Sequence, residues 1–578
     1  MPATKAEDRT WTFWCLAVAV PMAVVLGVPL AMPLVQLLLE PTGWDAWSDR
    51  ERIAELADNT LRLVAGTLAL AVPAGTAGAV LLYRTDLPLR RCLRFLTVLM
   101  LFIPLPLFVS AWQAALGPDG LMPLGAWSAV PAGDPDRSPS GLSWKPWSTG
   151  IGAAIWLHAL AGLPWVIVIV GQGLGWVETE LEEDALTAAG PWRVLWQVTL
   201  PRCRAAILAA GLWVALQAAT DITVTDTVQV RTFAEEVYWQ IGIGGPAAIP
   251  RSVAVAVPSI LLTWVLVVWA VVRLRRKVLP LWTMSRPPLV YRIGRARWLF
   301  LAFMLVAVGV LAGVPVTGLV WKAGLAGKPP SWSPQTVWQW VVTVVRSRRG
   351  LPVESLLMAA GSGVLAAALA LPVCWLAARS RWFEVFTLTV MTAALALPGP
   401  VVGFGLMETI ARLLDLIHSD RHHPDLVAKV LWYGPSPLPN LWAYLLRLFP
   451  FALAILWPVV RLIPVELHDA ARVDGARPGQ DLRHVVLPLA LPACVQACLA
   501  VTILALGEIS ASKLAETPGS ETFAHFIFVQ MHYGVANDVA AGCLLLLAVV
   551  VTGGLLVAGS GWLRKKPLPA WSRDSTTR

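Results

Sequence analysis

The chain has 578 residues, of which 57% are hydrophobic and 14% charged, with a mean hydropathy of +0.65. A water-soluble protein could not cover that much apolar surface with so few charges, so the composition excludes a soluble globular chain and points to lipid as the solvent. The net charge of +9 is spread in short Lys/Arg clusters between apolar runs, which excludes a nucleic-acid stripe and fits the loop bias of membrane proteins.

A crossing of the hydrocarbon core needs about 20 apolar residues. In chain order the candidate spans are roughly 12–39, 61–83, 93–116, 150–174, 204–226 and 252–273, then 297–321, 355–378, 385–411, 440–463, 490–510 and 537–562. Lys5 and Arg9 ahead of the first run give it a signal-peptide look. The run 13–39 is too long for such a segment and shows no clear cleavage site, so it reads as an uncleaved span. Arg84, Arg90, Arg91 and Arg94 follow the second span. Arg273, Arg275, Arg276 and Lys277 follow the sixth, Arg379 and Arg381 the eighth, and Arg564, Lys565 and Lys566 the twelfth. All fall on one side if both termini are cytoplasmic. Many of the thirty tryptophans flank apolar runs, as an interfacial belt does.

The chain repeats itself. Thr60-Leu61, Ala65-Gly66 and Arg84 recur as Ser355-Leu356, Ala360-Gly361 and Arg379, at an offset of 295. Thr232-Phe233-Ala234 recurs as Thr522-Phe523-Ala524, at an offset of 290. The predicted fold is therefore all-α: a polytopic membrane protein with about twelve transmembrane helices in two parallel six-helix repeats. We divide it into a first transmembrane domain, 1–273, a basic and Pro-rich cytoplasmic linker, 274–296, and a second transmembrane domain, 297–578.

The most informative repeat is polar. Asp469-Ala470-Ala471 leads to Asp474-Gly475-Ala476, then Pro478 and Leu487-Pro488. At an offset of 287, Glu182-Glu183-Asp184 leads to Ala188-Ala189, then Pro191 and Leu200-Pro201. Both copies fall in predicted cytoplasmic loops, after spans four and ten. Each reads as a short helix, a turn and a new helix; Gly475 suits a left-handed helix end and Pro478 a first helical turn. Ala470 and Ala471 keep one face small enough for another protein to approach. The bland alternative is a solvated loop that merely orients its neighbours.

With these residues the chain resembles the permease subunits of type I ABC importers, whose cytoplasmic loop carries Glu-Ala-Ala-x-x-x-Gly with Leu-Pro downstream. The second copy matches at Asp469 (for Glu), Ala470, Ala471, Gly475, Leu487 and Pro488. The first keeps Glu182, Leu200 and Pro201 but departs at Glu183, Asp184 and Ala188; Gly190 is the candidate for its turn. The resemblance covers both halves and implies a fused double permease. It also implies that each loop docks on an ATPase subunit, two copies in all, and that a separate binding protein delivers the solute. The layout, with Leu506–Ala511 and Thr522-Phe523-Ala524, looks like iron(III) or thiamine importers, which makes iron(III) the expected solute.

No Gly-x-x-x-x-Gly-Lys-Ser/Thr loop is present, so ATP is expected on another chain and no cofactor on this one. Asp221 and Glu508 correspond at the 287 offset, each 20 residues beyond its Leu-Pro, about 30 Å along a helix. Carboxylates at that depth read as pathway residues facing each other across the repeat axis. The alternative is a water interface where they pair with groups such as Lys513. His418, Asp420, His422, His423 and Asp425 could capture a metal but read better as a solvated external loop. Cys494 and Cys498 share a helical face, and with the other five cysteines read as small buried hydrophobes. No catalytic constellation stands out. The competing function is an ion-coupled secondary transporter, which would need no pair of docking loops.

Overall fold

The computed structural model describes residues 5–101, 103–116, 149–175, 177–244, 248–275, 288–326, 331–347, 350–417, 426–531 and 537–563. The described part is almost entirely helical, because a backbone in lipid must satisfy its own polar groups. Among the described residues, ten helices are long and apolar enough to cross a bilayer. They are Trp11–Leu39, Arg50–Arg84, Gly150–Gly175, Pro191–Thr220 and Ala248–Val265, then Gly294–Gly324, Leu351–Arg379, Leu438–Arg461, Pro478–Ala505 and Asn537–Leu555.

The third and ninth spans are not the continuous helices expected. Arg90–Met100 and Leu105–Leu116 meet at 105°, and Arg381–Ala396 and Gly399–Leu416 at 113°. Pro104 and Pro106 stand at the first break, Pro398 and Pro400 at the second. Proline lacks an N–H and pushes the residue before it out of the helical region. Leu397, before Pro398, is extended at φ −78° and ψ 128°. Hydropathy alone cannot register such a break, because the residues that make it are themselves apolar.

Prolines also mark four other positions. A π-helical turn precedes Val28-Pro29, Leu200-Pro201, Val314-Pro315 and Leu487-Pro488, over Ala23–Gly27, Leu195–Thr199, Gly309–Gly313 and Leu482–Val486. A widened turn accommodates the missing donor and the ring without ending the helix. The four form two pairs at offsets of 286 and 287. Between spans seven and eight a hairpin of Leu325–Ala326 and Ser331–Trp332 precedes the helix Pro334–Ser347. The corresponding stretch after span one is shorter, and there the repeat offset rises to 295.

Within each half, spans two, four and five (eight, ten and eleven) pack on one another through small residues. A Cβ on Gly363 would lie 2.4 Å from the Cys498 carbonyl oxygen, so only glycine allows that approach. The first helix of each half crosses to the other half. In span one the Val25 carbonyl accepts a hydrogen bond from Trp442 Nε1 (2.7 Å), and a Cβ on Gly405 would lie 2.0 Å from the Pro29 oxygen. In span seven, Leu301 and Met304 pack with Leu82, Leu93 and Ile167. The two recurring sequence anchors also meet. Thr60 Oγ1 accepts from the Phe233 N–H (3.2 Å) and Ser355 Oγ from the Phe523 N–H (2.8 Å).

Candidate functional site

The first polar loop contains the helix Thr179–Ala188. Its Glu182, expected on the docking surface, is completely buried. Arg84 lies 3.0 Å from Glu182 Oε2, and Thr199 Oγ1 donates to Oε1 (2.6 Å). Arg84 also donates to the carbonyls of Leu174 (2.7 Å) and Leu289 (3.1 Å). Tyr291, late in the 274–296 stretch, pairs with the end of span two: its N–H donates to the Arg84 carbonyl (2.7 Å) and its carbonyl accepts from the Asp86 N–H (3.1 Å). Its hydroxyl lies 3.2 Å from Thr199 Oγ1. The linker residues 276–287 lie outside the described residues.

The second loop contains the helix Val465–Val473. Asp469 has 58% of its side chain exposed and only a 3.4 Å contact to Arg472. The buried acid here is Asp481, in the following short helix. It is 3.0 Å from Arg379 and 2.7 Å from His468 Nδ1, and accepts from Trp375 Nε1 (3.0 Å). The recurrence of Arg84 as Arg379 hinted at paired cations. Their acids were not legible, because one lies on the loop helix and the other beyond the turn.

The structure also corrects the register. The two loop helices begin at Thr179 and Val465, an offset of 286, whereas the Leu-Pro pairs differ by 287. Glu183, not Glu182, is therefore the counterpart of Asp469; both are exposed, while Glu182 and His468 face inward. The extra residue falls in the second turn. Gly475 is left-handed at φ +78°, and the Ala476 N–H returns to the Ala471 carbonyl (2.9 Å), a helix ending that favours glycine. Its counterpart Ala189 is extended at φ −145°. Gly190, the expected source of a turn, has φ −68° and ψ 159°, open to any residue. Pro191 and Pro478 each open the next helix, as expected.

Asp221 and Glu508 both line one cavity of about 240 Å³ between the halves. Asp221 ends span five, and its Oδ2 accepts from the Val224 N–H (2.9 Å). Glu508 lies just past span eleven, with Oε1 accepting from Ser510 Oγ and the Ala511 N–H (both 2.8 Å). Neither carboxylate pairs with Lys513, the partner suggested by the sequence. Lys513 bonds the Tyr238 hydroxyl instead. The basic side chains near the carboxylates are ones the sequence did not single out: His158 Nε2 is 3.8 Å from Asp221 and Arg447 Nε 3.9 Å from Glu508. Trp213 lies between Trp165 and Phe451, with ring centroids 5.1 and 5.2 Å away. Trp165 and Phe451 correspond at the 286 offset, each following a proline, Pro164 and Pro450. That shared Pro-aromatic register was the available signal.

Among the described residues the seven cysteines are free, and no three His, Cys, Asp or Glu side chains gather as a metal site. The expected external cluster from His418 to Asp425 lies outside the described residues.

Residues 360–563 match the family model of the binding-protein-dependent transport system inner membrane component. The second half of the chain is thus similar to this family of inner membrane components. The chain is similar to the trehalose transport system permease protein SugB of Mycobacterium tuberculosis, with 32% identity over 114 residues, 19% of this chain and 41% of that protein. It is also similar to a putative 2-aminoethylphosphonate transport system permease protein, PhnV, of Salmonella paratyphi A, with 34% identity over 89 residues, 15% and 34% of the respective chains. The matches thus span well under half the length of these relatives. The chain is an all-α polytopic membrane protein, and the family that its second half resembles consists of inner membrane components of binding-protein-dependent transport systems.

Proposed function

We propose that the whole chain is the fused membrane subunit of an ATP-driven importer. Residues 1–273 and 297–578 would be its two permease units, joined by the cytoplasmic linker 274–296. Its cavity forms part of the solute path, and a separate binding protein delivers the solute. The observation that carries this reading is the doubled loop. In each half a polar helix stands exposed at Glu183 or Asp469, anchored from behind by a buried ion pair, Arg84–Glu182 or Arg379–Asp481. Such a helix is rigid where it meets the bundle and open where another protein would dock. We read these helices as the contacts for two separate ATPase subunits on the cytoplasmic face, with both termini on that side.

For the solute, iron(III) rests on Leu506–Ala511 and Thr522–Ala524 alone. The relatives carry a disaccharide and an aminophosphonate in their names, and the cavity mixes carboxylates with bases. An organic solute fits these observations better.

The test is charge reversal at the exposed positions. Asp469→Lys and Glu183→Lys are each expected to lower ATP-driven uptake in whole cells at least tenfold, and to lose co-purifying ATPase, while the detergent-solubilised chain stays monodisperse. Uptake that persists without any ATPase and collapses with the ion gradient would instead establish secondary transport.

A further inference from the structure

We infer that the cavity between the halves is a binding site for a small zwitterion, with its acid end toward Arg447 and its ammonium end toward Asp221 and His158. The inference rests on the pathway reading above and names the class of solute.

Three observations carry it. First, each half contributes one carboxylate and one base to the same cavity, and in neither pair do the two groups reach hydrogen-bond length. His158 Nε2 and Asp221 Oδ2 are 3.8 Å apart, and Arg447 Nε and Glu508 Oε2 are 3.9 Å apart. The two pairs that anchor the polar loops close further: Arg84–Glu182 and Arg379–Asp481 are both at 3.0 Å. Second, His158 Nε2 and Arg447 Nε are buried, with no protein hydrogen-bond partner among the described residues. The His158 side chain is only 4% exposed. Buried polar atoms are normally paired, and an exception beside a cavity calls for a partner such as a water, an ion or a solute. Third, the other atoms of these side chains are held in place. Arg447 donates to the Leu397 carbonyl at the break of span nine (3.0 Å), and Glu508 Oε1 is taken by Ser510 and Ala511.

The charge pattern selects the solute class. A simple cation would leave the Arg447 Nε–H unpaired and add to its charge. A simple anion would satisfy Arg447 but bring like charge close to Asp221 and Glu508. A molecule with both ends meets each need. Its acid accepts from the Arg447 guanidinium, and its ammonium donates to the Asp221 carboxylate beside His158. Trp165 and Trp213 line the same space and suit a short carbon body beside an ammonium. The volume of about 240 Å³ lies below the roughly 300–1,000 Å³ of sites for drug-sized ligands, so the solute is short.

The test uses the full chain in lipid nanodiscs, with no ATPase and no binding protein, titrated with radiolabelled β-alanine and taurine. Competitors are propionate and ethanesulfonate, which lack the amine, and propylamine, which lacks the acid. At least one zwitterion should bind saturably and at least tenfold more tightly than its one-ended analogues. Arg447→Gln should reduce it to the level of propylamine, and Asp221→Asn to the level of the amine-free acid. If neither zwitterion outcompetes its one-ended analogues on the unaltered chain, the inference is overturned, whatever the variants do. That failure would leave ATPase docking intact, and lost docking would leave cavity binding intact, so the two readings fail separately.

Discussion

The two polar loops share a plan and differ in how each is held. In the first, the buried acid Glu182 lies on the loop helix and meets Arg84 where both are fully enclosed. Tyr291, which arrives with the approach to span seven, closes over them. In the second, the loop helix gives His468 to the interior, and the acid comes from Asp481 on the next helix, where Arg379 retains 17% exposure. The second loop turns on a left-handed glycine, whereas the first passes through extended Ala189. The same cation position can thus anchor a loop helix through acids on either side of a turn. The cost of losing the cation should differ accordingly, because a charge stranded in an enclosed site has no water to turn to.

The sharpest way to break this comparison is to remove the cations. Arg84→Met should destabilise the detergent-solubilised chain by about 3–5 kcal/mol, the range for stranding a buried charge. Arg379→Met should cost about 1–3 kcal/mol, because Asp481 keeps its bonds from Trp375 and His468. Denaturant titration gives both values, and equal losses would show that the two anchors are equivalent.

The turn comes next. Gly475→Ala should cost about 1–2 kcal/mol for placing a side chain in left-handed backbone; no atom lies within 4 Å of the new Cβ, so conformation alone sets the loss. Ala189→Gly should stay within about 0.5 kcal/mol. A neutral Gly475→Ala would remove the distinction between the turns. A smaller effect belongs to the linker contact: Tyr291→Phe should cost about 0.5–1.5 kcal/mol in the same assay by removing the hydroxyl beside Thr199.

The asymmetry extends to the helices that follow Thr232 and Thr522. Both threonines cap their helix, accepting from the N–H of Glu235 (3.3 Å) and of His525 (3.2 Å). His525 pairs with Glu516 at 2.5 Å. Glu235 is instead pushed up to about 7, first by burial and then by the neighbouring charges of Glu236 and Asp226. A raised carboxyl means that the folded chain holds a proton the unfolded chain has released. Stability from this group therefore falls as pH rises from about 4.5 to about 7. Glu235→Gln should raise thermal stability at pH 8 and change it little at pH 4. A gain of equal size at both values would show that charge is not the cause.

Much of the architecture was legible in the chain itself. Twelve apolar runs, their basic flanks and the recurrence of Thr60, Arg84 and Thr232 follow from composition and spacing, because lipid imposes one length and one kind of backbone on every crossing. The same recurrence singled out Asp221 and Glu508, which share one cavity. Three things required the folded chain. The breaks at Pro104 and Pro398 are made by residues that hydropathy counts as apolar. The one-residue shift that makes Glu183 the counterpart of Asp469 lies in a turn, and only the helix starts reveal it. The partners of the charged groups, Arg84 with Glu182, Arg379 with Asp481, His158 near Asp221 and Arg447 near Glu508, lie 61 to 102 residues apart in the chain. Sequence pattern fixes where each helix runs and which residue types it carries. Which charges meet depends on how the helices rotate and cross, and that is settled by packing at small residues such as Gly363 and Gly405.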